Sequence, residues 1–247
     1  MFRCPAQRIA VTALLLFGLA LVCLLLAALG LRRVGPGYRV ARLLSATPSV
    51  ELAQAIELAG QEGVRYVRVN GRISSEEEFP DEHDRPLVYR RSRLEIQAPR
   101  GGWVTLARDS EAVPFGVELR GQFLAVQASD LEEGLVVVPR EALGRASDLD
   151  PELAASHPPD APSRLVIEQV SAVEQASVVG VPGRGPGGEP ILRAGLGRPL
   201  ILTTLEIPAA MRLLAAGHRR LVVLAALLIV AALGLSAAGL VALIAFG

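Results

Sequence analysis

Tyr89-Arg90-Arg91-Ser92-Arg93 places three guanidinium groups beside one aromatic ring. On a strand, alternate side chains share a face, so Arg91 and Arg93 stand together. Guanidiniums set this way can grip a phosphate, a lipid headgroup or the carboxylates of a partner. The same strip can instead pair with carboxylates on neighbouring strands. Arg90, Arg91 and Arg93 are therefore candidate anion or partner contacts.

Other segments carry weaker chemistry. Ser74 to Arg85 crowds Glu76, Glu77, Glu78, Asp81, Glu82, His83 and Asp84 into one stretch. It lacks the Asp/Asn alternation and glycine of a calcium loop, and its one histidine has no second in range for zinc. A solvated hairpin loop is expected there, and no metal ligand is assigned. Gly183-Arg184-Gly185-Pro186-Gly187-Gly188 fits G-x-G-x-x-G. A dinucleotide fingerprint needs a helix N-terminus facing the phosphates. Pro186 and Pro190 interrupt, so a hairpin loop is expected and no cofactor. His83, His157 and His218 sit in separate polar contexts, and no G-x-S-x-G elbow is present. No catalytic residue is assigned, and the expectation leans away from an enzyme.

The elements that would hold these residues follow from pattern. Thr47-Pro48 reads as a helix start, with Val50, Leu52, Ala53, Ile56, Leu58 and Ala59 as the apolar face and an end near Gly60 or Gly63. Strands are expected from Val64 to Ile73, with a turn-prone Asn70-Gly71, and over Leu87–Ile96, Trp103–Leu106, Gly116–Leu119, Phe123–Gln127 and Leu135–Val138. Asp148 to Pro162 reads as a linker. Leu165–Val181 resumes the strand pattern, Gly180–Pro190 reads as loop, and Leu200–Thr204 as a last strand. The predicted class is α+β, with a central antiparallel sheet or partly closed barrel.

Two apolar runs bracket that domain. Ile9–Leu31 and Leu221–Gly247 contain no charged side chain. As helices each is long enough to cross a ~30 Å hydrocarbon core. The first is too long for a signal-peptide core, so a retained helix is expected. Cys4 and Cys23 belong to this end, and bulky neighbours argue against lipidation at Cys23. A short helix from Pro208 is expected to run straight into the second span, with Arg219 and Arg220 at the interface. Gly234 and Ala238, four apart, are candidate helix-packing positions, against the first span or another copy. All 25 basic residues are arginine, against 25 acidic ones. That neutral balance argues against nucleic acid as a partner.

The chain resembles the GIDE family, the mitochondrial ubiquitin ligase activator proteins and their bacterial relatives. The stretches that carry the resemblance are Val67–Ile73, Pro86-Leu87-Val88-Tyr89-Arg90, Trp103, Pro114-Phe115-Gly116-Val117 and Val178-Val179-Gly180. It implies a β-rich domain between two membrane helices. Ligases of that family place a zinc-binding RING after the second helix. The sequence ends at Gly247 without one, so a bacterial-type member in a plasma membrane is expected, and ligase activity is not carried over. The expected organisation is a tail over 1–8, a span over 9–31, a GIDE-like domain over 32–207 with a sub-boundary at 148–162, a juxtamembrane helix over 208–220 and a span over 221–247. Expected partners are the lipid bilayer, an unidentified protein and further copies of the chain. The alternative is a component of a ligase-like or quality-control complex. Arg32, Arg33, Arg39, Arg42, Arg212, Arg219 and Arg220 flank the central domain, against Arg3 and Arg8 outside it, which favours a cytoplasmic domain. The resemblance implies the other side, since eukaryotic relatives keep this domain out of the cytosol.

Overall fold

The computed structural model describes residues 5–61, 65–99, 101–132, 134–216 and 219–246. In chain order the helices and strands are α1 (Pro5–Ala46), α2 (Leu52–Ala59), β1 (Val67–Ser74), β2 (Phe79–Pro80), β3 (Pro86–Gln97), β4 (Trp103–Ala112), β5 (Phe115–Leu119), β6 (Gln122–Val126), β7 (Leu135–Val136), β8 (Arg140–Arg145), α3 (Pro151–Ala154), β9 (Pro162–Ser171), β10 (Gln175–Arg184), β11 (Pro190–Arg193), β12 (Ile201–Thr203), α4 (Ile207–Ala216) and α5 (Arg219–Phe246). The chain is α+β and divides into two units, Arg42–Ala210 and the pair Met1–Ala41 with Met211–Gly247.

In the first unit, five strands close on themselves in the order β1-β5-β6-β11-β10 and back to β1. Every pairing is antiparallel except β6 with β11, where Ile191 faces Ala125 in parallel. This is the connectivity of a small Greek-key barrel of the OB type. Closure leaves these strands few free edges. Further along β10, its second edge pairs with β12, which pairs in turn with β7. Val69 and Ile73 of β1, Val117 of β5, Leu124 and Val126 of β6, Val178 of β10 and Leu192 of β11 fill the interior. Leu52 and Ala55 of α2 reach the same core. Burying side chains of this size contributes roughly 1.5–3 kcal/mol each.

Two local expectations are corrected. Asn70-Gly71 makes no turn; both residues lie inside β1, paired with Ser177 and Ala176. Gly71 is needed for space, because a Cβ there would stand 2.5 Å from Val117 Cγ1 and 2.8 Å from the Glu118 carbonyl. Thr47 does not open a helix. Its hydroxyl donates to the Leu43 carbonyl at 2.5 Å and so closes α1. Glu51 takes the N-cap position of α2, which ends at Ala59 with Gly60 as its C-cap.

A second sheet grows from two insertions in the barrel chain. The segment between β1 and β5 supplies β2, β3 and β4; that between β7 and β10 supplies β8 and β9. β3 pairs with β2, β4 and β9, and β9 pairs with β8, all antiparallel. The stretch 148–162 therefore connects paired strands of one sheet. At one end Val88, Tyr89 and Val170 join the main core; at the other, Ile96, Ala146 and Ala161 form a small separate cluster. β10 continues through Gly180 to Arg184, longer than expected, and the turn to β11 follows, with Gly188 at φ +85°.

In the second unit two helices are long and apolar enough to cross a membrane. The qualifying stretches are Leu14–Arg32 and Leu221–Ile244, with hydropathies of 2.9 and 2.8. Their large side chains point outward: Leu14 is 71% exposed, Val230 67% and Ile244 74%. The buried positions within these stretches are Ala20 and Ala27 on one, and Ala225, Ala232 and Gly239 on the other. Both sets repeat every seven residues, the spacing of a helix–helix seam. The two helices meet where the Phe17 ring comes within 3.3 Å of the Cβ position of Gly239. Small residues allow such close approach. Gly234 and Ala238 are exposed, and nothing lies within 4 Å of a Cβ on Gly234. Between the two spans the seam runs through Ala225, Ala232 and Gly239, which leaves Gly234 and Ala238 facing outward. α4 ends at Ala216 and α5 begins at Arg219. Arg3, Cys4, Gly63, Val64, Gly217 and His218 lie outside the described residues, as do the side chains of Arg8, Arg33, Arg219 and Arg220.

Candidate functional site: the charged face of the inserted sheet

Alternation along β3 sorts the arginine strip onto two faces. Tyr89, Arg91, Arg93 and Glu95 share one; Arg90 lies on the other. Arg90 is fully engaged there. It pairs with Glu111 at 2.7 Å and lies over the Phe79 ring, 5.6 Å from its centroid. Of the three candidates, the structure brings Arg91 and Arg93 together and sends Arg90 away.

The face of Arg91 and Arg93 is a lattice of charges. Arg91 pairs with Glu168 across β3 and β9, at 2.7 Å, and also donates to the Glu132 carbonyl. Glu95 is 7% exposed, and Arg164 opposite it donates from Nε at 2.7 Å. The Arg164 guanidinium stacks on Trp103, 4.3 Å from the ring centroid. Arg93 reaches Glu95 only at 3.9 Å, and its buried Nε has no hydrogen-bond partner. Burial pushes the Tyr89 phenol above its ordinary value, with the Arg91 charge working against the shift.

Arg108 completes this face, and the sequence reading missed it. It stands directly opposite Arg93 across β3 and β4. No ion pair of Arg108 is found among the described residues. Tyr89, Arg91, Arg93, Arg108, Asp109, Ser110 and Glu132 line an open cleft of about 280 Å³. Arg108 was out of view because β4 was expected to stop at Leu106, where the apolar residues end. The strand continues as polar Arg108-Asp109-Ser110-Glu111, with a bulge that lets Leu94 face Ala107 and Glu95 face Thr105.

The acidic stretch is not one loop: Ser75 to Glu78 connect β1 to β2, Phe79-Pro80 is β2, and Asp81 to Arg85 form the turn of the β2–β3 hairpin. Asp81 organises it: its carboxylate accepts from the Arg85 amide at 2.9 Å, from the Arg85 side chain and from the His83 amide at 2.7 Å. The Arg85 amide, with the Arg85 guanidinium and the His83 amide, holds this carboxyl well below the usual carboxylate range. Arg140 of β8 approaches Asp81 Oδ2, the oxygen that takes the Arg85 guanidinium, at 3.8 Å, which ties the hairpin to the far strand of the sheet. Among the described residues, no three His, Cys, Asp or Glu side chains gather as a metal-ligand set. Gly183 to Gly188 forms the end of β10 and the turn to β11, where Arg184 Nη1 donates to the Gly188 carbonyl at 2.8 Å.

No family model, curated protein or solved structure matches this chain.

Proposed function

We propose that this chain is a membrane-anchored binding module. α1 and α5 form the anchor, and the barrel with its inserted sheet binds a partner at the membrane surface. The observation that carries the anchor is the inversion of the helix pair: the buried positions are Ala and Gly, and the exposed large side chains are chiefly Leu, Ile and Val. Apolar side chains on that scale are stable against hydrocarbon and not against water. The binding role rests on the inserted sheet, whose face toward Arg91 and Arg93 is half-exposed and densely charged. The resemblance to the GIDE family supports the same order of anchor, β-rich domain and anchor. Arginine bias at the inner ends of the spans favours a cytoplasmic domain.

Alkaline phosphatase fused after Gly247 tests that arrangement. With the domain in the cytoplasm, the fusion is exported and active. An expressed but inactive fusion reverses the orientation. The binding role is tested by capture in mild detergent followed by mass spectrometry, comparing the native chain with Arg91→Glu. A partner retained by the native chain and lost from a folded Arg91→Glu supports the role. Recovery of identical material with both contradicts it.

A further inference from the structure

We propose that the cleft on the charged face of the inserted sheet binds a phosphate-type oxyanion between Arg93 and Arg108. Like charges directly opposite on paired strands repel, and such a pair costs stability. Here the two arginines are direct partners across β3 and β4 and both line the cleft; no ion pair of Arg108 is found among the described residues, and Arg93 has only a long approach to one carboxylate. The nearest carboxylate to Arg93 is Glu95 at 3.9 Å, and Arg164 holds that carboxylate at 2.7 Å. Arg93 also keeps a buried Nε–H without an acceptor, a state that costs free energy. A doubly charged oxyanion supplies the missing charge and gives acceptors to the exposed ends of both guanidiniums, the Arg93 side chain being 36% exposed. Guanidinium forks match its geometry through paired, charge-assisted hydrogen bonds.

The neighbours define the ligand further. Arg91 is locked by Glu168 and the Glu132 carbonyl, so it shapes the wall without adding free charge. Ser110 lines the cleft and offers a hydroxyl donor. Asp109 and Glu132 border it as well. The cleft of about 280 Å³ accepts one phosphate group. The opposite face gives the contrast. There Arg90 is matched by Glu111, and Arg85 and Arg140 by Asp81.

The inference rests on the binding-module reading and is independent of membrane insertion. The full chain, held in phosphatidylcholine nanodiscs, is titrated with inorganic phosphate at constant ionic strength, with chloride as the control. Saturable binding at about millimolar concentration or tighter is expected for the native chain. Arg108→Gln and Arg93→Gln weaken it about tenfold or more, whereas Arg108→Lys retains it. Arg108→Gln removes a repulsive contact, so its melting temperature in chloride matches or exceeds the native value. Loss of phosphate binding in that variant is therefore not unfolding.

A second arm offers vesicles of phosphatidylcholine with phosphatidic acid, against phosphatidylcholine alone. Arg108-dependent vesicle binding that free phosphate competes away assigns the oxyanion to a lipid headgroup. Phosphate binding without vesicle binding assigns it to a soluble phosphate. No saturable response in the native chain, or equal binding by Arg93→Gln/Arg108→Gln, overturns the proposal. A chain that binds phosphate yet stays in solution without detergent contradicts the membrane reading alone.

Discussion

The Phe17 ring lies 3.3 Å from the point where a side chain on Gly239 would begin. That contact fixes the seam between the two apolar helices, together with the buried Ala20, Ala27, Ala225 and Ala232. Gly239→Leu is expected to force the helices apart and to cost about 1–3 kcal/mol, as overpacking does. Gly234→Leu, at a position with open space, is expected to be tolerated. Thermal unfolding of the full chain in detergent distinguishes the two variants. Equal melting temperatures would place the seam elsewhere.

Gly71 makes the equivalent test inside the barrel. A methyl group there meets Val117 Cγ1 and the Glu118 carbonyl, and neither backbone nor core can move far. Gly71→Ala is expected to lose about 1–3 kcal/mol in denaturant unfolding. An unchanged midpoint would argue against the close approach of β5 to Gly71.

Asp81 gives a pH dependence of definite sign. Its pKa is depressed in the folded chain, so its contribution is fully present above the unfolded-state value, near 3.8, and is lost as pH falls through the lower folded value. Asp81→Asn is expected to weaken the β2–β3 hairpin by the same amount at pH 5 and pH 8. The difference from the native chain narrows below about pH 4. Amide hydrogen exchange at His83 and Arg85, both bonded to this carboxylate, reads it directly. A difference that grows on acidification contradicts the assignment.

Glu95 is the buried carboxylate of the charged face, held by Arg164 and approached by Arg93. Glu95→Ala leaves two guanidiniums with less compensation. The cost expected in denaturant unfolding is about 1–3 kcal/mol, below that of a fully buried pair because both arginines are partly exposed. A neutral result would show that solvent screens this lattice.

Residues differ in how much of this was legible from sequence. The apolar helices announce themselves because an uncharged run of that length has few other stable uses. β3 was legible from Leu87 to Ile96, since its apolar ends frame the arginines. β8 was not: Arg140–Arg145 is exposed at all six positions, so no apolar alternation marks it. Barrel closure rests on distant pairings such as Ile191 with Ala125, which no local pattern encodes. The seven-residue repeat of Ala225, Ala232 and Gly239 was present in the sequence, but α5 is rich in alanine and only the partner helix selects one face. Arg108 illustrates the same limit at the site. Its role comes from facing Arg93 across two strands, and periodicity within either strand does not report that.

The central claim is that α1 and α5 form a hairpin whose exterior belongs in hydrocarbon. Alkaline carbonate extraction of membranes from cells expressing the full chain tests it most directly. The protein is expected to stay in the high-speed pellet after carbonate and to leave it only with detergent. Recovery as a monodisperse species in the detergent-free supernatant would contradict the claim.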